Sequence, residues 1–158
     1  MATATYLVGV VLERRKVASP WIDHVWLPVA VLPAAPDLAP LTWLGATDTG
    51  ERFFAGGFEM DLHRTDTATY RDNLASGAPR IWVAARPPGN DGPPAVVGVT
   101  PDPAEGEALT EAGNDIVEAV PMPPEIEAVL IRFIADHHVE RPFVKRKRDR
   151  WAGPEEDE

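Results

Sequence analysis

The chain has 158 residues, 25 acidic against 15 basic side chains, a net charge of −10 and no cysteine. That is enough chain for one domain with its own core. The composition argues against a general nucleic-acid binder, which needs local positive potential to hold phosphates, and it excludes disulfides, thiolate metal sites and cysteine nucleophiles.

The opening MATATYLVGVVLERRK sets its basic cluster after the apolar stretch, the reverse of a secretory signal. No apolar run approaches the roughly 18–20 residues that cross a bilayer. The expectation is a cytoplasmic protein without membrane insertion. Tyr6 to Leu12 is apolar and β-branched and predicts a strand. WIDHVWLPVAVLP predicts a half-buried antiparallel strand, with Trp21, Asp23 and Val25 on one face and Ile22, His24 and Trp26 on the other. Adjacent strand residues point to opposite faces, so Asp23 and His24 are not expected to act as a pair. Pro28 belongs at an edge, a bulge or a break, because it has no N–H to give a ladder.

PAAPDLAP reads as a loop. LTWLGA, the turn TDTGE and RFFAGGFEMDLHR predict a hairpin, with Asp48 and Gly50 supplying the turn chemistry. Phe54, Phe58, Met60 and Leu62 share one parity along its second strand, and Gly56 and Gly57 suggest a bulge. TDTATYRDNLASG predicts a short helix capped by Asp66 or Thr67 and closed at Gly77. RIWVAAR and AVVGVT are strands on either side of the loop PPGNDGPP. DPAEGEALTEAG carries the clearest local signal, with Asp102 as N-cap, Pro103 at the first helical position and Gly113 at the close. NDIVEAVPM is a short strand. PPEIEAVLIRFIADHHVE is the strongest helix, with Ile126, Val129, Leu130, Phe133, Ile134 and His137 on one face.

Strands first and helices gathered late predict an α+β fold. We expect a curved, mainly antiparallel sheet, or partial barrel, of about six to seven strands with three helices, the longest near the C-terminus. Residues 5–140 are expected to form the globular domain and 141–158 a tail. Residues 1–140 carry nine basic and twenty acidic side chains; residues 141–150 carry six basic and one acidic, and four further acids follow.

The enzyme case is weak. No glycine pattern matches a phosphate-cradling loop, no G-x-S-x-G elbow exists, and the two serines, Ser19 and Ser76, lie in turn settings. His137 and His138 at a helix C-terminus need no special task, since cations are favoured there. With His63 and Asp136 they compose a conceivable metal set that no spacing demands. No catalytic residue, metal or cofactor is therefore assigned. Trp21, His24 and Trp26 are candidate partner-binding residues, set against the plainer reading that large rings fill a core. In the tail, Arg141, Phe143, Lys145, Arg146, Lys147 and Arg148 combine cations with a bulky ring and predict docking onto an acidic protein surface. The plainer reading is a tail that folds back on the acidic body or stays solvated. An alternative assigns the same arm to an anionic cofactor or RNA. A third reading, an enzyme using His24 or His63 with a carboxylate, requires those groups to converge in a pocket.

SPWIDHVWLPVAVLP, ATYRDNL, IVEAVPMPPEI and HHVERPFVKRKR give the chain a resemblance to a proteobacterial family labelled as a domain of unknown function, along about residues 5–150. The family that the chain resembles is usually encoded beside molybdenum- or tungsten-dependent formate dehydrogenases and their maturation chaperones. The resemblance implies an accessory protein in the assembly or regulation of such an enzyme, with a formate dehydrogenase subunit or its maturation chaperone as the expected partner. It carries over no catalytic residue.

Overall fold

The computed structural model describes residues 1–138. Strand β1 (Ala4–Lys16) is the spine of a four-stranded sheet. β2 (His24–Leu32) and β4 (Gly50–Leu62) flank it antiparallel, and β3 (Thr42–Ala46) pairs with the outer side of β4, giving the order β2-β1-β4-β3. A second antiparallel sheet has the order β6-β5-β7, from β5 (Arg80–Arg86), β6 (Ala95–Thr100) and β7 (Ile116–Pro121). β2 runs beside β7 and β4 beside β6 without a joining ladder, so the sheets wrap a shared core and do not close. Three helices complete the α+β fold: α1 (Thr67–Ala75), α2 (Pro103–Ala112) and α3 (Pro124–His137), the longest.

Alternation decides what enters the core. Val8 and Val10 on β1 and Met60 and Leu62 on β4 face Ile81 and Val83 of the second sheet. Ile126, Leu130 and Phe133, on one stripe of α3, seal the same space. Tyr70 of α1 is buried there, and its hydroxyl accepts a hydrogen bond from the His63 amide at 2.9 Å. Burial pushes the Tyr70 phenol up to about 12. Asn73 fastens α1 to the second sheet: its amide donates to the carbonyls of Arg80 (2.7 Å) and Pro101 (2.9 Å) and accepts from the Arg80 N–H (3.0 Å).

Local signals hold where they are strictly local. Asp102 accepts from the Ala104 N–H at 2.9 Å, Pro103 opens α2, and Gly113 closes it with φ 78°. α2 lies so near β5 that a Cβ on Gly106 would stand 2.3 Å from the Trp82 ring. Pro28 sits on an edge strand beside a register shift, both settings in which a missing N–H is harmless.

Two expectations fail. Phe54 and Phe58 do not share a face: Phe58 pairs with Val8 and Phe54 with Val11, which point to opposite sides of β1. The register shift between Val10 and Val11 inserts one extra residue into β4 beside Gly56 (φ 136°) and reverses the alternation. Trp21 is not in a strand, because β2 begins at His24; Trp21 lies in the preceding loop and is 88% exposed.

Candidate functional site

Past Leu12 the core-facing positions of β1 change character. Val8 and Val10 give way to Arg14 and Lys16, which cannot be buried unpaired. Arg14 stands directly opposite Trp26 on β2 and Glu51 on β4. Its Nη2 donates to Glu51 Oε1 at 2.9 Å. Its guanidinium carbon lies 5.9 Å from the Trp26 ring centre and 5.8 Å from that of Phe53, and those two rings are 5.3 Å apart. Trp43 on β3 pairs with Phe53 and so shares its face; it is 58% exposed. The open end of the first sheet is thus an arginine near two aromatic rings, with Trp43 beside them across the sheet; the exposed Trp21 lies in the loop that leads into β2.

The loop between β5 and β6 closes one side of this end. The Asp91 carbonyl accepts from the Trp26 indole N–H at 3.2 Å and lies 3.1 Å from His24 Nε2. Nδ1 of the same imidazole is 2.7 Å from Asp23 Oδ1. Contrary to the alternation argument, then, Asp23 and His24 do pair, because Asp23 precedes the strand and its side chain is not held to the strand's alternation. Both neighbours of the imidazole are acceptors. A neutral ring can donate to only one of them, so the geometry favours the imidazolium. The hydrogen bond to the Asp91 carbonyl raises the His24 pKa; partial burial opposes this, and Asp23 adds to it. A cleft of about 200 Å3 runs between His24 and Trp26 on one side and Pro87, Pro88, Pro94 and Ile116 on the other. The segment that composition marks as a loop therefore forms a wall of this cleft.

The opposite face of the same end holds a buried acid that sequence reasoning missed. Glu13 is 0% exposed. Its Oε2 accepts from Arg15 Nε and Thr49 Oγ1, each at 2.7 Å, and its Oε1 from Arg52 Nε at 3.0 Å. Burial alone would raise its pKa; the donors Arg15, Thr49 and Arg52 outweigh it and hold the carboxyl below 4.5. The available signal was the i,i+2 pair Glu13 and Arg15 inside a strand, which places both charges on one face.

The remaining candidates do not converge. His63 contributes its backbone amide to Tyr70. His138 Nε2 accepts from Arg71 Nη1 at 2.8 Å, which leaves Nδ1–H to donate to Thr67 Oγ1 at 2.8 Å. The His137 ring packs 4.5 Å from Phe133. Among the described residues no group of three or more His, Asp or Glu side chains is placed to hold a metal ion. No helix of the described residues is long and apolar enough to cross a membrane. Arg141, Phe143, Lys145, Arg146, Lys147 and Arg148 lie outside the described residues.

Residues 7–147 match the model of a family described as a protein of unknown function (DUF3305). No curated protein and no solved structure matches the chain.

Proposed function

We propose, from the premise that the chain belongs to the DUF3305 family, that it is a non-enzymatic accessory protein that docks a partner protein on the aromatic and arginine surface at the open end of its first sheet. The observation that carries this reading is Trp43, 58% exposed, paired with Phe53 of the Arg14–Trp26–Phe53 cluster, together with Trp21, 88% exposed, in the loop that leads into β2. Tryptophan and arginine dominate the binding energy of protein interfaces, and they do so best on a rigid support. Here the support is rigid: Trp26 is tied to Asp91 through its indole N–H, and Arg14 to Glu51.

The partner class in this proposal is a component of molybdenum- or tungsten-dependent formate dehydrogenase assembly, which rests on the family resemblance alone. The basic arm Arg141 to Arg148 would add a second, electrostatic contact that speeds encounter. The test is a binding titration against purified formate dehydrogenase subunits and their maturation chaperones. Trp43→Ala and Arg14→Ala should each weaken binding by about tenfold or more, the scale of one interface hot spot. Equal affinity for all three proteins would exclude this face.

A further inference from the structure

We propose that Arg15 and Arg52, aimed by the buried carboxylate of Glu13, form an oxyanion site that takes a phosphate or carboxylate group of a small ligand. The site is on the face opposite the aromatic cluster and does not depend on the docking reading.

Three features of the geometry support it. Each guanidinium is committed through Nε alone, and among the described residues no hydrogen bond engages the Nη groups of either arginine. The two side chains are 39% and 41% exposed while the acid between them is sealed. Because they hold the two oxygens of one carboxylate, their Nε atoms are no more than about 8 Å apart, a span that one ligand can bridge. Two cations share one anion, leaving the trio at +1 in a chain that is otherwise strongly acidic. A guanidinium locked at one end keeps its outer fork pre-aimed at a carboxylate or phosphate and loses little rotamer freedom on binding.

A cleft of about 470 Å3 adjoins Arg15, lined also by Lys16, Thr47, Asp48, Thr49 and Glu51; Arg52 stands outside this lining, joined to Arg15 through the shared Glu13 carboxylate. Its wall is the β3–β4 turn, where Thr47 Oγ1 accepts from the N–H groups of Thr49 (3.3 Å) and Gly50 (3.2 Å). A Cβ on Gly50 would meet the Arg14 carbonyl at 2.1 Å, so only glycine lets the turn close on β1. Lys16 lines the same cleft, but by alternation its side chain leaves β1 on the Arg14 face. Of the two acids in the lining, Glu51 is bound by Arg14, and Asp48 opposes an incoming anion.

The experiment follows the Nε–H resonances of the arginines by NMR in the full chain during titration with inorganic pyrophosphate and, separately, citrate. Arg15→Lys and Arg52→Lys keep a cation beside Glu13 but lose the fork; Arg132→Lys is the control, and melting temperatures report on folding. The expected result is saturable shifts at Arg15 and Arg52, weakened about tenfold or more in either of the first two variants and unchanged in the third. Asp48→Asn should tighten binding. Preference for pyrophosphate assigns a phosphoryl ligand, and preference for citrate a carboxylate. No shift at either arginine by about 10 mM of both probes, or equal weakening in Arg132→Lys, overturns the proposal.

Discussion

His24 Nε2 lies 3.1 Å from the carbonyl oxygen of Asp91, so one imidazole fastens an edge strand to a loop 67 residues away. The groups around it are Asp23 and the Asp91 carbonyl, which favour its cation, and Arg14, which opposes it. Lys16 stands opposite on β1. With the folded pKa raised above 6.5, the stabilisation is complete below that value and is lost as pH rises through the folded one. Urea unfolding of wild type and His24→Gln should show a stability gap that is constant below pH 6.5 and shrinks as pH rises above it. A gap that grows with pH would mean the ring is bound neutral.

Glu13 has the opposite sign. Its lowered pKa stabilises the fold above the unfolded value of 4.5, and the contribution disappears as pH falls through the folded value. Glu13→Ala removes the shared acceptor of two guanidiniums and should cost about 1–3 kcal/mol, less than a fully buried pair because both arginines are part exposed. In Glu13→Gln the acid limb of the stability profile should flatten. Chemical denaturation from pH 5 downward tests both.

Gly106→Ala opposes two effects. Alanine favours a helix interior by about 1 kcal/mol over glycine, yet its Cβ would enter the Trp82 ring. Because the blocking atoms belong to a rigid ring, overpacking should prevail, with a net loss of about 1–3 kcal/mol. Thermal unfolding reports this, and combining the change with Trp82→Leu should restore part of the loss.

The two aromatic roles separate by stability. Trp43→Ala should change unfolding free energy by no more than about 0.5 kcal/mol, since the ring is mostly exposed. Trp26→Ala should cost about 2–4 kcal/mol through lost stacking on Phe53 and Arg14 and the lost bond to Asp91. Equal effects would place Trp43 in the core.

Much of this architecture was legible because its causes are local. Asp102–Pro103 and Gly113 set the ends of α2 by hydrogen bonding and backbone freedom that no distant residue alters. The apolar stripe of α3 likewise points to the core by itself, and the unbroken apolar run from Tyr6 to Leu12 marks β1 as a strand. What was not legible depends on register. The extra residue in β4 reversed Phe54 against Phe58, and glycine content alone does not say on which side of a bulge a ring falls. The Asp23–His24 pair and the Asp91 anchor depend on where β2 starts and on a loop brought from the second sheet. At the site, Trp21 and Trp26 could be named as candidates, but Arg14 and Phe53 could not be joined to them before β1, β2 and β4 were aligned. Nothing in the run Glu13–Arg14–Arg15 marks Glu13 as buried, because Thr49 and Arg52, which close over it, come from more than thirty residues away.

The most direct test of the docking surface compares partner capture by the intact chain, by a Trp21→Ala/Trp43→Ala variant and by a truncation ending at Glu140, each read by quantitative mass spectrometry with formate dehydrogenase components as reference proteins. The account predicts that a formate dehydrogenase component is retained by the intact chain and lost from the double variant, which stays folded, while the truncation binds more weakly and with less salt dependence. Retention of that component by the double variant at the level of the intact chain would contradict it.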